Sequence, residues 1–159
     1  MEDTTAYFDA IRNGELDVVL GLITTNPAWV NARDQRGSTP LILGAYYGHE
    51  ELVKLLLEHG AKIDDVDSSG NTALMGVCFK GFLPVVKMLI EKGANINHQN
   101  AMGASSLIYA VTFNQLEIAK LLLQNGAELS IKDARGNTAL DHAKLQGTPN
   151  LIDVLEAKY

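Results

Sequence analysis

Asp67–Asn97, DSSGNTALMGVCFKGFLPVVKMLIEKGANIN, is one supersecondary unit written out in full, and the rest of the 159-residue chain repeats it. Gly37, Gly70, Gly103 and Gly136 stand 33 residues apart, and so do Asp34, Asp67, Asn100 and Asp133. Leu41, Leu74, Leu107 and Leu140 keep the same interval, as do the pairs Gly60-Ala61, Gly93-Ala94 and Gly126-Ala127. Several residue ladders in one register imply a stacked repeat.

Each ladder has a local cause. The Asp67 side chain can accept from backbone two residues on and close a tight turn, and Gly70 supplies the positive φ that ends it. Asn100 carries the same acceptor oxygen. Thr39, Thr72, Ser105 and Thr138 then stand where hydroxyl N-caps are favoured, with Pro40 at a first helical position where its missing N–H costs nothing. A short first helix, Pro40 to Tyr47 in the second unit, should stop at Gly48, Gly81, Asn114 or Gly147, a left-handed position. Leu52, Val53, Leu55 and Leu56, matched by Val85, Val86, Met88 and Leu89, mark a buried stripe on a second helix. Gly60, Gly93 and Gly126 should cap that helix, leaving a short extended connection into the next turn.

The stretch GSTPLILGAYYGHEELVKLLLEHGA (residues 37–61) closely resembles the ankyrin-repeat signature, and the resemblance extends over essentially the whole chain. It implies an all-α solenoid: helix–turn–helix units joined by extended or β-hairpin loops. The units run 1–33, 34–66, 67–99, 100–132 and 133–159. The first lacks the Asp-x-x-Gly turn, starts directly as a helix with Asp3, Thr4 or Thr5 as cap, and exits through Asn26-Pro27-Ala28-Trp29-Val30-Asn31. The last ends within its second helix, Asn150 to Ala157. Both are expected to act as caps of one complete domain, and Trp29 to be a packed residue.

Composition narrows the function. A net charge of −6 argues against a nucleic-acid backbone as the main partner. One cysteine rules out an internal disulfide and fits a reducing, cytoplasmic location. The acidic start MEDTTAYFD is unlike a signal peptide, and no segment is long and apolar enough to cross a bilayer.

In the ankyrin family the contact positions are the loop tips and the ends of the first helices, on the concave face. Carried onto this sequence, the resemblance gives Arg36, Ser69, Asn71, Met102 and Arg135 at the tips. It gives Tyr46, Tyr47, Phe79, Lys80, Thr112, Phe113, Leu145 and Gln146 at the helix ends. Four of the nine Phe and Tyr residues, Tyr46, Tyr47, Phe79 and Phe113, fall at these positions. Tyr and Arg are favoured at interface hot spots. Arg12, Arg33, Arg36, Lys80, Lys132 and Arg135 lie at or beside the same face, so the partner expected is a partly acidic, apolar peptide or protein surface.

Catalysis has little support. The histidines are scattered, and His49 occupies the family's usual Gly-His, a structural place. The family's other common histidine is replaced by Ile42, Met75, Ile108 and Asp141. Asp141 and His142, adjacent on a helix, diverge by about 100° and cannot form a dyad with each other. Cys78 reads as a buried, inert thiol, and neither metal spacing nor a phosphate loop is present. Asn31 and Asn97 are structural by position. The expectation is a non-catalytic, monomeric protein-binding module without cofactor. The alternative is a small-molecule or catalytic site in the groove using Tyr47, Lys80 and His142.

Overall fold

The structure, a computed structural model, describes residues 3–157. Among the described residues, ten α-helices follow one another in antiparallel pairs: α1 (Thr5–Asn13) and α2 (Leu16–Thr25), α3 (Pro40–Tyr46) and α4 (Glu50–Glu58), α5 (Ala73–Lys80) and α6 (Leu83–Glu91), α7 (Ser106–Thr112) and α8 (Leu116–Gln124), α9 (Ala139–Gln146) and α10 (Pro149–Glu156). The odd-numbered helices pack in one row and the even-numbered helices in a second, so the molecule is two helical layers with loops along one edge. No strand occurs among the described residues. Neighbouring loop tips are joined instead by single bonds, from Ala101 N to Ser69 O (3.0 Å) and from Ala134 N to Met102 O (2.9 Å).

The ladders do what their chemistry suggests. Asp67 Oδ1 accepts from the amides of Ser69 and Asn71, both at 2.9 Å. Asp34, Asn100 and Asp133 make the same pair of bonds in their own turns. Thr39, Thr72 and Ser105 cap α3, α5 and α7 by accepting from the amide three residues on. Thr138 and Asp141 form a reciprocal capping box on α9. Asn114 takes the left-handed backbone at φ 57°, alone among the described non-glycine residues. Gly103 is needed twice over: its φ is 74°, and a Cβ there would lie 2.9 Å from Ala134 N in the next loop.

A further ladder emerges from the structure. Asn31, Asp64 and Asn97 each accept from the backbone of the next unit, at Lys62, Asn95 and Glu128 respectively. Asn31 and Asn97 also donate, to the carbonyls of Gly60 and Gly126. These bonds tie one helix exit to the next.

One hydrophobic core runs through the stack between the layers. Leu56, Leu89, Leu122 and Leu155 form its most regular row, all nearly or wholly buried. Ile42, Met75 and Ile108 replace the family's usual histidine with buried apolar packing, while Asp141 at the fourth position serves the capping box.

At the N-terminal end, Asp3 Oδ1 accepts from Thr5 N, whereas Thr4 holds the cap position without a side-chain bond. The exit of this unit is a 3-10 helix, Pro27–Asn31. Trp29 packs there, its ring 5.2 Å from that of Tyr7, whose hydroxyl donates to Trp29 O at 2.9 Å. Burial raises the Tyr7 pKa above its ordinary value, so this donor keeps its proton.

Candidate functional site

The odd-numbered helices, which form the inner layer, and the loop tips line a groove of about 980 Å³ that draws residues from Arg12 to Phe113. Its helical wall is a run of aromatic rings. Tyr47 meets Tyr46 edge-on at 5.3 Å, and Tyr46 lies parallel to Phe79 at 6.3 Å. Phe79 meets Phe113 edge-on at 4.5 Å, and Phe113 lies parallel to Tyr109 at 6.1 Å. Edge-to-face and offset arrangements are the favoured ones for ring quadrupoles, so the rings support one another. They nevertheless face solvent: Tyr47, Phe79 and Phe113 are between 37% and 44% exposed. Tyr46 is only half-buried, with Lys80 Nζ 4.8 Å above its ring.

Helix ends aim these rings. α3, α5 and α7 each give way to a left-handed residue (Gly48, Gly81 and Asn114) one or two positions after the ring or ring pair, which fixes the direction of the last turn. Side chains then pin the junctions. His49 Nε2 donates to Arg12 O at 2.7 Å, and Gln146 Nε2 donates to Thr112 O at 3.0 Å. Gln115 reaches toward Phe79 O in the same manner, at 3.4 Å. Each such bond orients a helix terminus in the preceding unit.

Of the positions carried over from the family, Arg36, Tyr46, Tyr47, Ser69, Asn71, Phe79 and Phe113 line the groove together. Lys80 joins them at the edge through Tyr46. Met102, Thr112, Arg135, Leu145 and Gln146 do not line it. Met102 (63% exposed) and Leu145 (76% exposed) point into solvent, and Gln146 is engaged in its helix-end bond. The stripe therefore covers units two to four and does not extend to the last unit.

Several groove residues escape a reading of the loop tips and helix ends, among them Leu43, Gly76 and Tyr109 on the inner helices. Tyr109 shares a network with Asn71 and Asn100. Asn100 Nδ2 donates to Asn71 Oδ1 (2.8 Å) and to Tyr109 Oη (3.0 Å), while the Tyr109 hydroxyl donates to Asn71 Oδ1 at 3.3 Å. An aspartate at position 100 could close the turn but could not donate. The one signal in the sequence is the repeat column Leu43, Gly76, Tyr109, His142, in which no two residues agree.

The electrostatics are less basic than the arginine count suggests. Arg12 pairs with Asp34 at 3.1 Å and with Asp9 at 3.3 Å. Arg33 pairs with Asp65 at 3.6 Å and donates to the carbonyls of Gly37 and Val66. Arg36 and Lys80 make no ion pair among the described residues. Arg36 on the loop side and Lys80 at the helix ends thus leave positive charge unpaired beside the rings.

Reactive groups are placed apart. Cys78 is fully buried, and burial pushes its thiol up to about 12, against a smaller opposing hydrogen bond with Ser106. No thiolate forms there at neutral pH. His142 Nε2 lies 2.6 Å from Asp133 Oδ2. Burial, the largest single influence on Asp133, acts upward. It is outweighed by the Asn137 amide, His142 and the Arg135 amide, which hold the carboxyl below its ordinary value. Of Tyr47, Lys80 and His142, only Tyr47 lines the groove. No group of three or more His, Cys, Asp or Glu able to hold a metal occurs among the described residues. None of their helices is long and apolar enough to cross a membrane.

Comparison with known proteins agrees with this architecture. A family model described as ankyrin repeats (3 copies) matches residues 7–100 and 65–133. A fission-yeast (Schizosaccharomyces pombe) BTB/POZ domain-containing protein 3 is 39% identical over 64 residues, 38% of this chain and 12% of that protein. The palmitoyltransferase akr1 of the same yeast is 39% identical over 61 residues, 38% of this chain and 10% of that protein. The chain thus spans about a tenth of the length of these curated relatives. With three matched copies covering most of its length, the chain belongs to the ankyrin-repeat family.

Proposed function

We propose that this chain is a single ankyrin-repeat domain, capped by its first and last units, that binds another protein or a peptide segment through its concave groove. Ankyrin repeats generally mediate protein–protein interaction and are typically non-catalytic, which supports the class. The observation that carries the specific reading is the ring stripe Tyr47–Tyr46–Phe79–Phe113–Tyr109, supported from within yet open to solvent. Exposed rings in a concave surface are the kind of group from which interface hot spots are made. The stack holds them in position before a partner arrives, so little ordering entropy is lost on binding. One buried, protonated cysteine is compatible with a reducing cytoplasmic location, and a monomer is the form this reading requires.

Affinity capture from native lysate tests it, with wild type beside Tyr47→Ala/Phe79→Ala/Phe113→Ala and circular dichroism as the control for folding. A protein captured by wild type and lost by the folded variant supports the groove as the site. Identical capture by both defeats it.

The groove volume favours a second reading, since about 980 Å³ lies at the upper end of the range for small-molecule sites. That volume is spread along units one to four, and Lys80 and His142 do not converge on it with Tyr47. A metabolite screen by thermal shift addresses this reading. A ligand that stabilises wild type but not the triple variant would favour it over a protein partner.

A further inference from the structure

Gly76 stands on the groove face of α5 with no structural demand for glycine. Its φ is not positive, unlike those of the turn glycines. An added Cβ would meet nothing closer than Tyr46 Cδ2 at 3.8 Å, an ordinary contact. Gly44, one residue further along the repeat, differs: it packs against α4, where a Cβ would lie 3.6 Å from Leu52 Cδ2. Glycine inside a helix is unfavourable, because it loses the most backbone freedom and buries nothing. In the same column the neighbouring units place Leu43 and Tyr109, both of which line the groove. Gly76 therefore leaves a gap in a column that Leu43 and Tyr109 fill in the neighbouring units, with the Tyr46 ring the nearest group to it.

We propose that this gap is a receptor for one large apolar side chain, presented by an acidic segment of a partner protein. The inference rests on the concave-face reading and specifies its partner. The Tyr46 ring borders the gap, and Leu43, Met75, Phe79, Tyr109 and Phe113 give the helical wall of the same groove aliphatic and aromatic surface, so the anchor is apolar and of Leu, Met or Phe size. The flanks select for acid. Asp34 is paired with Arg12, and Asp67, whose Oδ1 is held by its own loop amides, leaves one carboxylate charge against two free cations. Arg36 on the loop side and Lys80 at the helix ends are the nearby charges that no carboxylate meets among the described residues. Carboxylates flanking the anchor complement both, and fix the axis along which the segment lies.

The test is selection of a displayed library of random peptides on wild-type protein, followed by fluorescence polarisation with the enriched peptides. The expected consensus is one large apolar residue flanked by Asp or Glu. Gly76→Leu fills the gap and should weaken these peptides by about a hundredfold. Gly76→Ala should shift the preference toward a smaller anchor, a readout that a purely structural role would not move. Arg36→Glu/Lys80→Glu should abolish the acidic preference and favour basic flanks. Circular dichroism and thermal melting confirm that each variant is folded.

No enrichment, enriched peptides without a shared apolar residue, or unchanged affinity for folded Gly76→Leu would each overturn the proposal. Loss of binding in Tyr47→Ala/Phe79→Ala/Phe113→Ala but not in Gly76→Leu would discard the receptor and leave the concave-face reading standing. If neither variant loses the peptide, both fall. A second copy of this chain as the occupant would appear as a concentration-dependent mass in sedimentation that Gly76→Leu abolishes, and would also overturn the acidic segment.

Discussion

The two helical layers vary in opposite ways. In the outer layer, the column Leu56, Leu89, Leu122, Leu155 is one residue repeated four times, and the column Leu52, Val85, Ile118, Leu151 changes only among aliphatics. On the groove side, the column Leu43, Gly76, Tyr109, His142 changes in size, shape and polarity at every step. The first two columns are buried between layers, where close packing tolerates little change of volume. The third faces the groove at Leu43, Gly76 and Tyr109, at the margin of the core, where packing constrains side-chain size less. On the proposed function, stability and recognition are carried by different columns of the same repeat.

Truncation of the buried column should produce the largest effect. Leu89 is wholly buried in the core, so Leu89→Ala removes its contacts and leaves a cavity, at a cost of about 3 kcal/mol. Denaturant unfolding measures this directly. Peptide or partner affinity of the surviving folded fraction should be unchanged, because Leu89 is remote from the groove lining. A loss of stability below about 1 kcal/mol would break the division of labour between the layers.

Glycines sharpen the comparison. Gly103 serves the stack and Gly76 faces the groove, so the same substitution should have opposite signs. Gly103→Ala forces an alanine into a left-handed backbone with its Cβ 2.9 Å from Ala134 N, and should cost about 2 kcal/mol. Gly76→Ala adds helix propensity in open space and should stabilise by roughly 0.5–1 kcal/mol. Thermal melts of the two variants beside wild type decide the matter. A destabilised Gly76→Ala would mean that the glycine is there for packing after all.

The same division explains what was legible in the sequence. The period, the turn residues and the caps could be read because each is a local backbone demand that only a few residue types satisfy. Asp67 must accept two amides, Gly103 must hold positive φ, and Thr72 must cap. The first helix of unit two was legible to within one residue, Pro40–Tyr46 against an expected Pro40 to Tyr47.

Groove chemistry was legible only where it coincided with helix ends and loop tips. Tyr109 looks like any residue within a helix until Asn71 and Asn100 are seen around its hydroxyl. The pairing of Arg12 with Asp34 joins residues 22 positions apart, which no periodicity reveals. Gly76 marks a gap only once the Tyr46 ring beside it is placed. Lone ladder breaks are the one trace such features leave.

His142 is the member of the variable column that has turned inward to serve the stack, and its effect should be the smallest and the most pH-dependent. It holds Asp133 Oδ2 at 2.6 Å while Oδ1 accepts the Arg135 and Asn137 amides. The folded pKa of Asp133 therefore lies below its ordinary value of 3.8. A carboxylate so depressed contributes stability that is present above its unfolded pKa and is lost as pH falls through the folded value. Asp133→Asn preserves the turn, as Asn100 shows one unit earlier, but cannot carry the charge. The variant should be slightly less stable than wild type at neutral pH. Acidification below about pH 4 should close the difference, as the wild-type carboxylate gains its proton. Urea unfolding of both proteins across that range measures the gap. A difference that stays constant from neutral pH into acid would show that geometry, not charge, holds the last turn.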